Sequence, residues 1–129
     1  MSQPLIVTAA IIRKEDTVLL TKRPVGSRDA GKWEFPGGKL NDNESPEQCL
    51  QRELLEELNL PVRVNQIQKV LHHQYEWGAV LLLFYDCTPL AEKIENIEVA
   101  EHRFVALGEL GSFDLLEADL PVIEYLQSI

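Results

Sequence analysis

Sulfur-containing residues are scarce in this sequence. Its 129 residues include 2 cysteines and 1 methionine. Cys49 and Cys87 form neither a C-x-x-C pair nor a disulfide framework, so we expect two free thiols in a reducing compartment. The N-terminal stretch lacks a basic region, and its apolar run is too short to span a bilayer. These absences predict a cytoplasmic protein with no membrane partner.

Basic residues are also in short supply. The chain has 12 Lys and Arg against 21 Asp and Glu, which gives a net charge of −9 and a pI near 4.7. A surface of this sign repels phosphate backbones, so we expect no nucleic-acid polymer as a partner. A small polyanion can still bind where a metal cation mediates the contact.

What is present suits one compact domain over residues 1–129. Hydrophobic residues make up 45 % and charged residues 26 % of the chain, as in ordinary globular proteins. This length and composition provide enough apolar material for a core. The order of apolar runs predicts an α/β domain with a mixed sheet between helices. The predicted strands and turns are a β-hairpin at residues 5–12 and 17–23, turns at 24–32 and 36–38, and strands at 62–70, 79–87 and 102–107.

Two helices are predicted from their end signals. The first begins at Pro46, because Ser45 is a good N-cap and Gln48 completes a capping box. It ends near Leu58, since Asn59 tolerates the left-handed conformation that terminates helices. The last helix closes the chain after residue 119, an aspartate that is a possible N-cap.

The first helix carries an unusual acidic stripe. At about 100° per residue, Glu53, Glu56 and Glu57 lie on one side, next to a leucine stripe that faces the core. A solvated acidic face is the simple interpretation. However, Arg52 is the one basic residue of the helix, and a glycine turn at residues 37–38 precedes it. Carboxylates beside exposed backbone carbonyls are typical ligands of hard divalent cations.

The spacing of these residues resembles a known family pattern. Gly38 is followed after five residues by Glu44, and after seven more by the segment RELLEELNL, residues 52–60. This resembles the Nudix box, G-x5-E-x7-R-E-U-x-E-E-x-G-U with U aliphatic. Asn59 replaces the last glycine, a mild departure at a left-handed helix end. The resemblance implies the Nudix fold, an α/β/α sandwich, and hydrolysis of nucleoside diphosphates linked to another group.

The resemblance also implies a metal site that uses Mg²⁺ or Mn²⁺. Arg52 would orient a glutamate, and Glu44 would hold Arg52 or act behind the ligands. A further loop carboxylate would serve as a base or ligand; Glu98 fits best, Glu101 competes, and either can be a plain surface residue. The implied ligands are Glu53, Glu56, Glu57, Glu98 and the carbonyl of Gly37 or Gly38.

Segments outside the box resemble the MutT-type subgroup, which includes the CTP pyrophosphohydrolases. These segments are LLTKRP, GKWEFPGGKL and EADLPVIEYL. The subgroup cleaves nucleoside triphosphates, including oxidised ones such as 8-oxo-dGTP, to the monophosphate and pyrophosphate. A small nucleotide and a monomer or homodimer are therefore expected. Nudix hydrolysis of ADP-ribose, nucleotide sugars or dinucleoside polyphosphates is the alternative, while the intact carboxylates argue against a non-catalytic binding module.

The same resemblance implies residues for the nucleoside. Arg23 would lie at the sugar or α-phosphate, with Glu34 and Phe35 along the nucleoside pocket. Asp119 matches a position that contacts the base and is Asn in 8-oxoguanine-specific enzymes. An ionised Asp only accepts hydrogen bonds, so a base edge rich in donors, such as that of cytosine, is favoured. Tyr75 and Trp77 would either stack on a base or cover a sheet edge.

Overall fold

Two four-stranded sheets and two α-helices make up the fold within residues 3–129, the part of the chain that the computed structural model describes. The helices are α1, Pro46–Leu58, and α2, Leu120–Ser128. Short 3-10 turns cover Leu107–Ser112 and Glu117–Asp119. The strands are β1 Leu5–Ile11, β2 Arg13–Lys14, β3 Thr17–Lys22, β4 Trp33–Glu34, β5 Gly37–Lys39, β6 Val62–Tyr75, β7 Gly78–Pro89 and β8 Glu101–Ala106.

The first sheet is mixed and has the strand order β5-β1-β7-β6. Strands β1 and β7 run parallel, while β5 and β6 pair antiparallel at its two edges. The second sheet is antiparallel, with β3 pairing to β2, β4 and β8. The predicted α/β arrangement with a mixed sheet is confirmed.

The predicted hairpin of residues 5–12 with 17–23 is wrong. The chain does turn at Glu15, which has a φ of 57°, but only the two residues of β2 pair with the start of β3. Strand β1 belongs to the other sheet, where its long-range parallel partner is β7. Local alternation predicts strands well, but it carries no information about which distant strand a buried segment pairs with.

The other element predictions hold with adjusted ends. Helix α1 has the predicted bounds, and the Ser45–Gln48 capping box and left-handed Asn59 are confirmed. Strand β7 is the buried apolar run, and β6 extends beyond the predicted residue 70 to Tyr75. Strands β6 and β7 therefore form a long two-stranded ribbon with its turn at Glu76–Trp77.

Each helix covers one side of the sheets with its own apolar core. Alternate residues of β1 and β3 point to opposite sides, as the pleat requires. Leu50, Leu54 and Leu58 of α1 are fully buried, and each burial is worth about 1.5–3 kcal/mol. The opposite core contains Val122, Ile123 and Leu126 of α2. The layers are thus helix, sheets and helix.

The structure also bears on the two cysteines and on the search for a membrane-spanning segment. Cys49 and Cys87 are buried and unpaired, as predicted. Within residues 3–129, no helix is both long enough and apolar enough to cross a membrane.

Candidate active site

A cavity of about 560 Å³ is lined by residues of both sheets and of their loops. Its size lies within the ~300–1,000 Å³ typical of small-molecule sites. The floor is apolar, from β1 and β7, including Val7, Ala9, Val80 and Leu82. One end reaches Glu57 and Glu98, and the other reaches Asp119. The cavity is therefore acidic at both ends and apolar between them.

The glycine turn packs directly against the acidic helix. A Cβ on Gly38 would overlap the carboxyl group of Glu53, and a Cβ on Gly37 would overlap the carbonyl oxygen of Thr8. Gly37 also has a φ of 157°, which L side chains rarely adopt. Glycine at both positions therefore allows β5 to lie between β1 and the Glu53 side chain.

The hydrogen-bond register between β5 and β1 gives the carbonyls of Gly37 and Gly38 opposite orientations. Ala10 donates to the Pro36 carbonyl at 2.8 Å and Leu40 donates to that of Ile6 at 2.9 Å. Antiparallel bonds alternate along the strand, so Gly38 is bonded to β1 and the Gly37 carbonyl points away from it. Because β5 is an edge strand, the Gly37 carbonyl is the better placed of the two to bind a cation.

Arg52 is the centre of the ion-pair network beside this turn. Its Nε and Nη2 atoms donate to both oxygens of Glu44 at 2.9 and 2.7 Å. Its Nη1 donates to Glu53 at 2.8 Å and to Glu56 at 3.0 Å. The fork to Arg52 lowers the pKa of Glu44 to about 2. One guanidinium thus orients three carboxylates.

Among residues 3–129, no Lys or Arg side chain forms an ion pair with Glu57. Burial, a hydrogen bond with Glu53, and the nearby charges of Glu34, Glu53 and Glu98 all raise its pKa far above the ordinary value. Two carboxylates that pack this closely favour a positive charge between them, whether a proton or a metal ion.

The two candidate loop carboxylates differ in position. The Glu98 amide donates to the Glu57 carbonyl at 3.1 Å, and Glu98 lines the cavity. Glu101 lies on β8, pairs with Arg103 and does not line the cavity. The geometry therefore favours Glu98 as the carboxylate from this loop.

The donor set fits a hard divalent cation, although it forms no preformed cage. Among residues 3–129, no three His, Cys, Asp or Glu side chains are arranged to enclose an ion. Glu56 instead turns to Arg52, and its side chain is 46 % exposed. Mg²⁺ commonly takes one or two carboxylates and completes its shell with water and substrate phosphates. Glu53, Glu57 and the Gly37 carbonyl provide such an open set.

Asp119 occupies the far end of the cavity. It is 3 % exposed, and its carboxylate accepts the Phe35 N–H at 3.2 Å. Burial and the charge of Glu34 raise its pKa well above the ordinary value. Asp119 is the N-cap residue of α2, as predicted, but its side chain makes no capping bond to the helix. Its carboxylate is bonded instead to the backbone of Phe35, which lies 84 residues earlier in the sequence.

Arg23, Glu34 and Phe35 lie together along one wall. Arg23 pairs with Glu34 at 3.1 Å, and both line the cavity. Burial raises the pKa of Glu34 despite the opposing effect of Arg23. Phe35 is buried, and its ring packs edge-on against Phe84. The structure therefore brings these three residues together in the lining of one cavity, while their role at a nucleoside stays a prediction.

Tyr75 and Trp77 stack on each other at the rim. Their ring centroids are 5.2 Å apart with an interplanar angle of 9°. The Tyr75 hydroxyl accepts the Ala118 N–H at 3.2 Å, and the Arg28 guanidinium lies 4.2 Å from the centre of the Trp77 ring. One face of each ring is thus already covered by another group.

Sequence reasoning missed several residues of the cavity. Arg28 and Lys39 are lining cations, and Ala118 fixes the Tyr75 hydroxyl through its backbone. Lys39 directly follows the glycine turn, which was a usable signal. Nothing in the local sequence links Arg28 to an aromatic residue 49 positions later.

Comparison with known proteins now identifies the family. A model described as the NUDIX domain matches residues 3–126. The chain belongs to the NUDIX family. Nudix members generally need divalent metal ions, which agrees with the open donor set on α1.

Similar proteins extend over nearly the whole chain. A CTP pyrophosphohydrolase of Escherichia coli (strain K12) is 32 % identical over 126 residues, covering 95 % of this chain and 91 % of that protein. An 8-oxo-dGTP diphosphatase of the same strain is 30 % identical over 128 residues, covering 95 % and 96 %. The crystal structure of a MutT protein from Methanosarcina mazei Go1 has a TM-score of 0.88 at 27 % identity, covering 99 % and 96 %. This Nudix protein is therefore a MutT-like hydrolase of phosphoric anhydride bonds.

Proposed function

We propose that this Nudix hydrolase cleaves nucleoside triphosphates to the monophosphate and pyrophosphate, with Mg²⁺ and alternatively Mn²⁺ as its metal. The observation that carries the proposal is one cavity lined both by Glu57 of α1 and by the buried Asp119. A triphosphate requires cations at one end of the cavity, and a nucleobase requires a hydrogen-bonding group in an enclosed pocket at the other. The names of the two relatives from Escherichia coli support the same class of substrate.

At the phosphate end, the metal would be held by Glu53, Glu57 and the Gly37 carbonyl, with Glu56 and Glu98 as further ligands. When bound, it polarises the phosphoric anhydride and lowers the pKa of an attacking water. Arg52, fixed by Glu44, holds Glu53 in place through a charge-assisted hydrogen bond.

A base must remove the proton of the attacking water. Glu98 is our candidate, because it lines the cavity on the loop beside Glu57. The bond that breaks lies between the α and β phosphates: the water oxygen joins one of these two phosphorus atoms, and the bridging oxygen leaves with the other product.

At the nucleoside end, Asp119 would read the base while Arg23, Glu34 and Phe35 border the sugar. Asp119 accepts one hydrogen bond from the protein, which leaves its second oxygen for a ligand. A raised pKa also allows that oxygen to carry a proton and donate. A base edge with an amine beside a ring nitrogen acceptor, as in cytosine, satisfies both states. Such an edge is therefore our first expectation.

A screen of nucleoside triphosphates, 8-oxo-dGTP, ADP-ribose and nucleotide sugars with Mg²⁺ tests the proposal. We expect the highest kcat/KM with a triphosphate, and equal amounts of monophosphate and pyrophosphate as products. Stepwise release of orthophosphate would show that the cleavage position is wrong. Cleavage of ADP-ribose or nucleotide sugars alone would replace the proposed substrate class with the alternative one.

A further inference from the structure

A cation–π contact joins two loops at the rim of the cavity. The Arg28 guanidinium carbon lies 4.2 Å from the centre of the Trp77 ring. Arg28 belongs to the loop between β3 and β4, in the second sheet, whereas Trp77 is in the turn between β6 and β7, in the first. Both residues are exposed and both line the cavity. The contact therefore bridges the two sheets at the cavity's edge.

Further contacts lead from Trp77 to the backbone next to Asp119, the residue proposed to contact the base. Trp77 stacks on Tyr75, and the Tyr75 hydroxyl accepts the Ala118 N–H at 3.2 Å. Asp119 is the next residue. A chain of direct contacts thus connects the Arg28 loop with the turn that carries Asp119.

The hydrogen bonds that hold the Arg28 loop are local. Arg23 Nε donates to the Arg28 carbonyl, the Gly31 amide donates to the Arg23 carbonyl, and the Arg23 amide donates to the Lys32 carbonyl. Gly26 and Gly31 have φ values of 91° and 86°, which bend the loop on either side of Arg28. The contact with Trp77 adds a side-chain attachment across the cavity that these bonds do not provide.

Charge distinguishes Arg28 from Arg23. Three cationic side chains line the cavity, namely Arg23, Arg28 and Lys39. Arg23 is paired with Glu34, whereas among residues 3–129 no carboxylate pairs with Arg28 or with Lys39, and of these two Arg28 is the one stacked on an aromatic ring. An unneutralised guanidinium at the rim attracts an anionic ligand without losing its stacking on Trp77.

We infer that Arg28 and Trp77 form a clasp that retains the bound nucleotide by holding the loop of residues 24–32 across the cavity. The inference rests on the proposed function, since it takes a nucleoside triphosphate as the occupant. The cavity of about 560 Å³ exists while the contact is made, so a ligand fits beneath the closed clasp. Opening it admits the nucleotide, and closing it slows release.

A double-mutant cycle tests the clasp directly. The variants are Arg28→Gln, Trp77→Leu and the double variant, with Arg13→Gln on exposed strand β2 as the charge-matched control. The ligand is the α,β-methylene analogue of CTP with Mg²⁺, which cannot be cleaved between the α and β phosphates. Calorimetry gives Kd, and acrylamide quenching of Trp77 fluorescence, taken as the difference from Trp77→Leu, reports whether the ring is covered.

Each single variant should raise Kd about 2- to 5-fold, and the double variant should add little to either, because both remove one cation–π contact. Arg13→Gln should bind as the wild type does. The nucleotide should protect Trp77 from acrylamide in the wild type but less so in Arg28→Gln. Equal Kd values and equal quenching in all proteins, or fully additive losses, would overturn the clasp alone. A wild type that does not bind the analogue would overturn the expectation of a cytosine nucleotide and the clasp on that nucleotide, while the triphosphate screen tests the substrate class separately.

Discussion

The two ends of the cavity handle negative charge in opposite ways. At the phosphate end, the carboxylates crowd along one helix and share Arg52, and Glu57 is left without a cation. At the nucleoside end, Asp119 and Glu34 each have one fixed partner, the Phe35 amide and Arg23, although the charge of Glu34 still raises the pKa of Asp119. Carboxylates that crowd around one cation favour a further bound cation, whereas a carboxylate that already accepts one hydrogen bond favours a ligand with hydrogen-bond donors. The difference explains how one acidic pocket can take a polyanion at one end and a base at the other.

Removing a charge at the phosphate end should have the largest effect. Glu57→Gln retains the shape of the side chain but loses a ligand charge, so we expect kcat to fall by at least roughly 10²- to 10³-fold. Glu47→Gln, an exposed glutamate in the first turn of the same helix, is the control and should leave kcat unchanged. Unchanged turnover in Glu57→Gln would falsify its assignment as a ligand.

Breaking the ion pair between Glu44 and Arg52 at the phosphate end should have an intermediate effect on activity. Glu44→Gln breaks the two-point ion pair that fixes Arg52, while its amide oxygen can still accept the Asn41 N–H. We expect activity or metal affinity to fall by about 10- to 100-fold, as for other groups behind metal ligands. A Mg²⁺ titration of kcat measures it. A variant with normal metal dependence and normal turnover would show that Arg52 needs no such support.

A change at the nucleoside end should alter selectivity more than rate. Asp119→Asn keeps an acceptor for the Phe35 amide but replaces the second oxygen with a donor. We expect the kcat/KM ratio between CTP and 8-oxo-dGTP to shift by about 10-fold or more toward 8-oxo-dGTP. Steady-state kinetics on both nucleotides gives the ratio, and an identical substrate profile would remove Asp119 from base recognition.

The smallest effect concerns stability at the same residue. The pKa of Asp119 is raised by burial in the folded protein, so the folded state binds this proton more tightly than the unfolded state does. The free energy of unfolding should therefore fall as pH rises from the ordinary carboxyl pKa toward the raised one. In metal-free thermal unfolding, Asp119→Asn should lose less Tm than the wild type between pH 4 and pH 8, that is, from about the ordinary aspartate pKa to about four units above it. The exposed Asp42→Asn should behave as the wild type, and parallel Tm curves for Asp119→Asn would contradict the raised pKa.

The two ends also differ in how far sequence could predict them. Apart from Glu98, the phosphate end lies within residues 37–60, where capping residues, glycines and helical spacing fix the geometry locally. The nucleoside end is assembled from segments around residues 23–35, 75–82 and 116–119, and family resemblance supplied its residues without their contacts. The pairing of β1 with β7, the Phe35–Asp119 bond and the Arg28–Trp77 contact all depend on long-range packing. No local pattern encodes such partners.

The most direct test of the central claim is a Mn²⁺ titration monitored by electron paramagnetic resonance, with and without the α,β-methylene analogue of CTP. The account predicts that the wild type binds Mn²⁺ and that the analogue tightens this binding, because the phosphates complete the metal's shell. In Glu57→Gln, both effects should be strongly reduced. Equal Mn²⁺ binding by the two proteins, unaffected by nucleotide, would contradict the claim that the carboxylates of α1 hold the phosphates through a divalent cation.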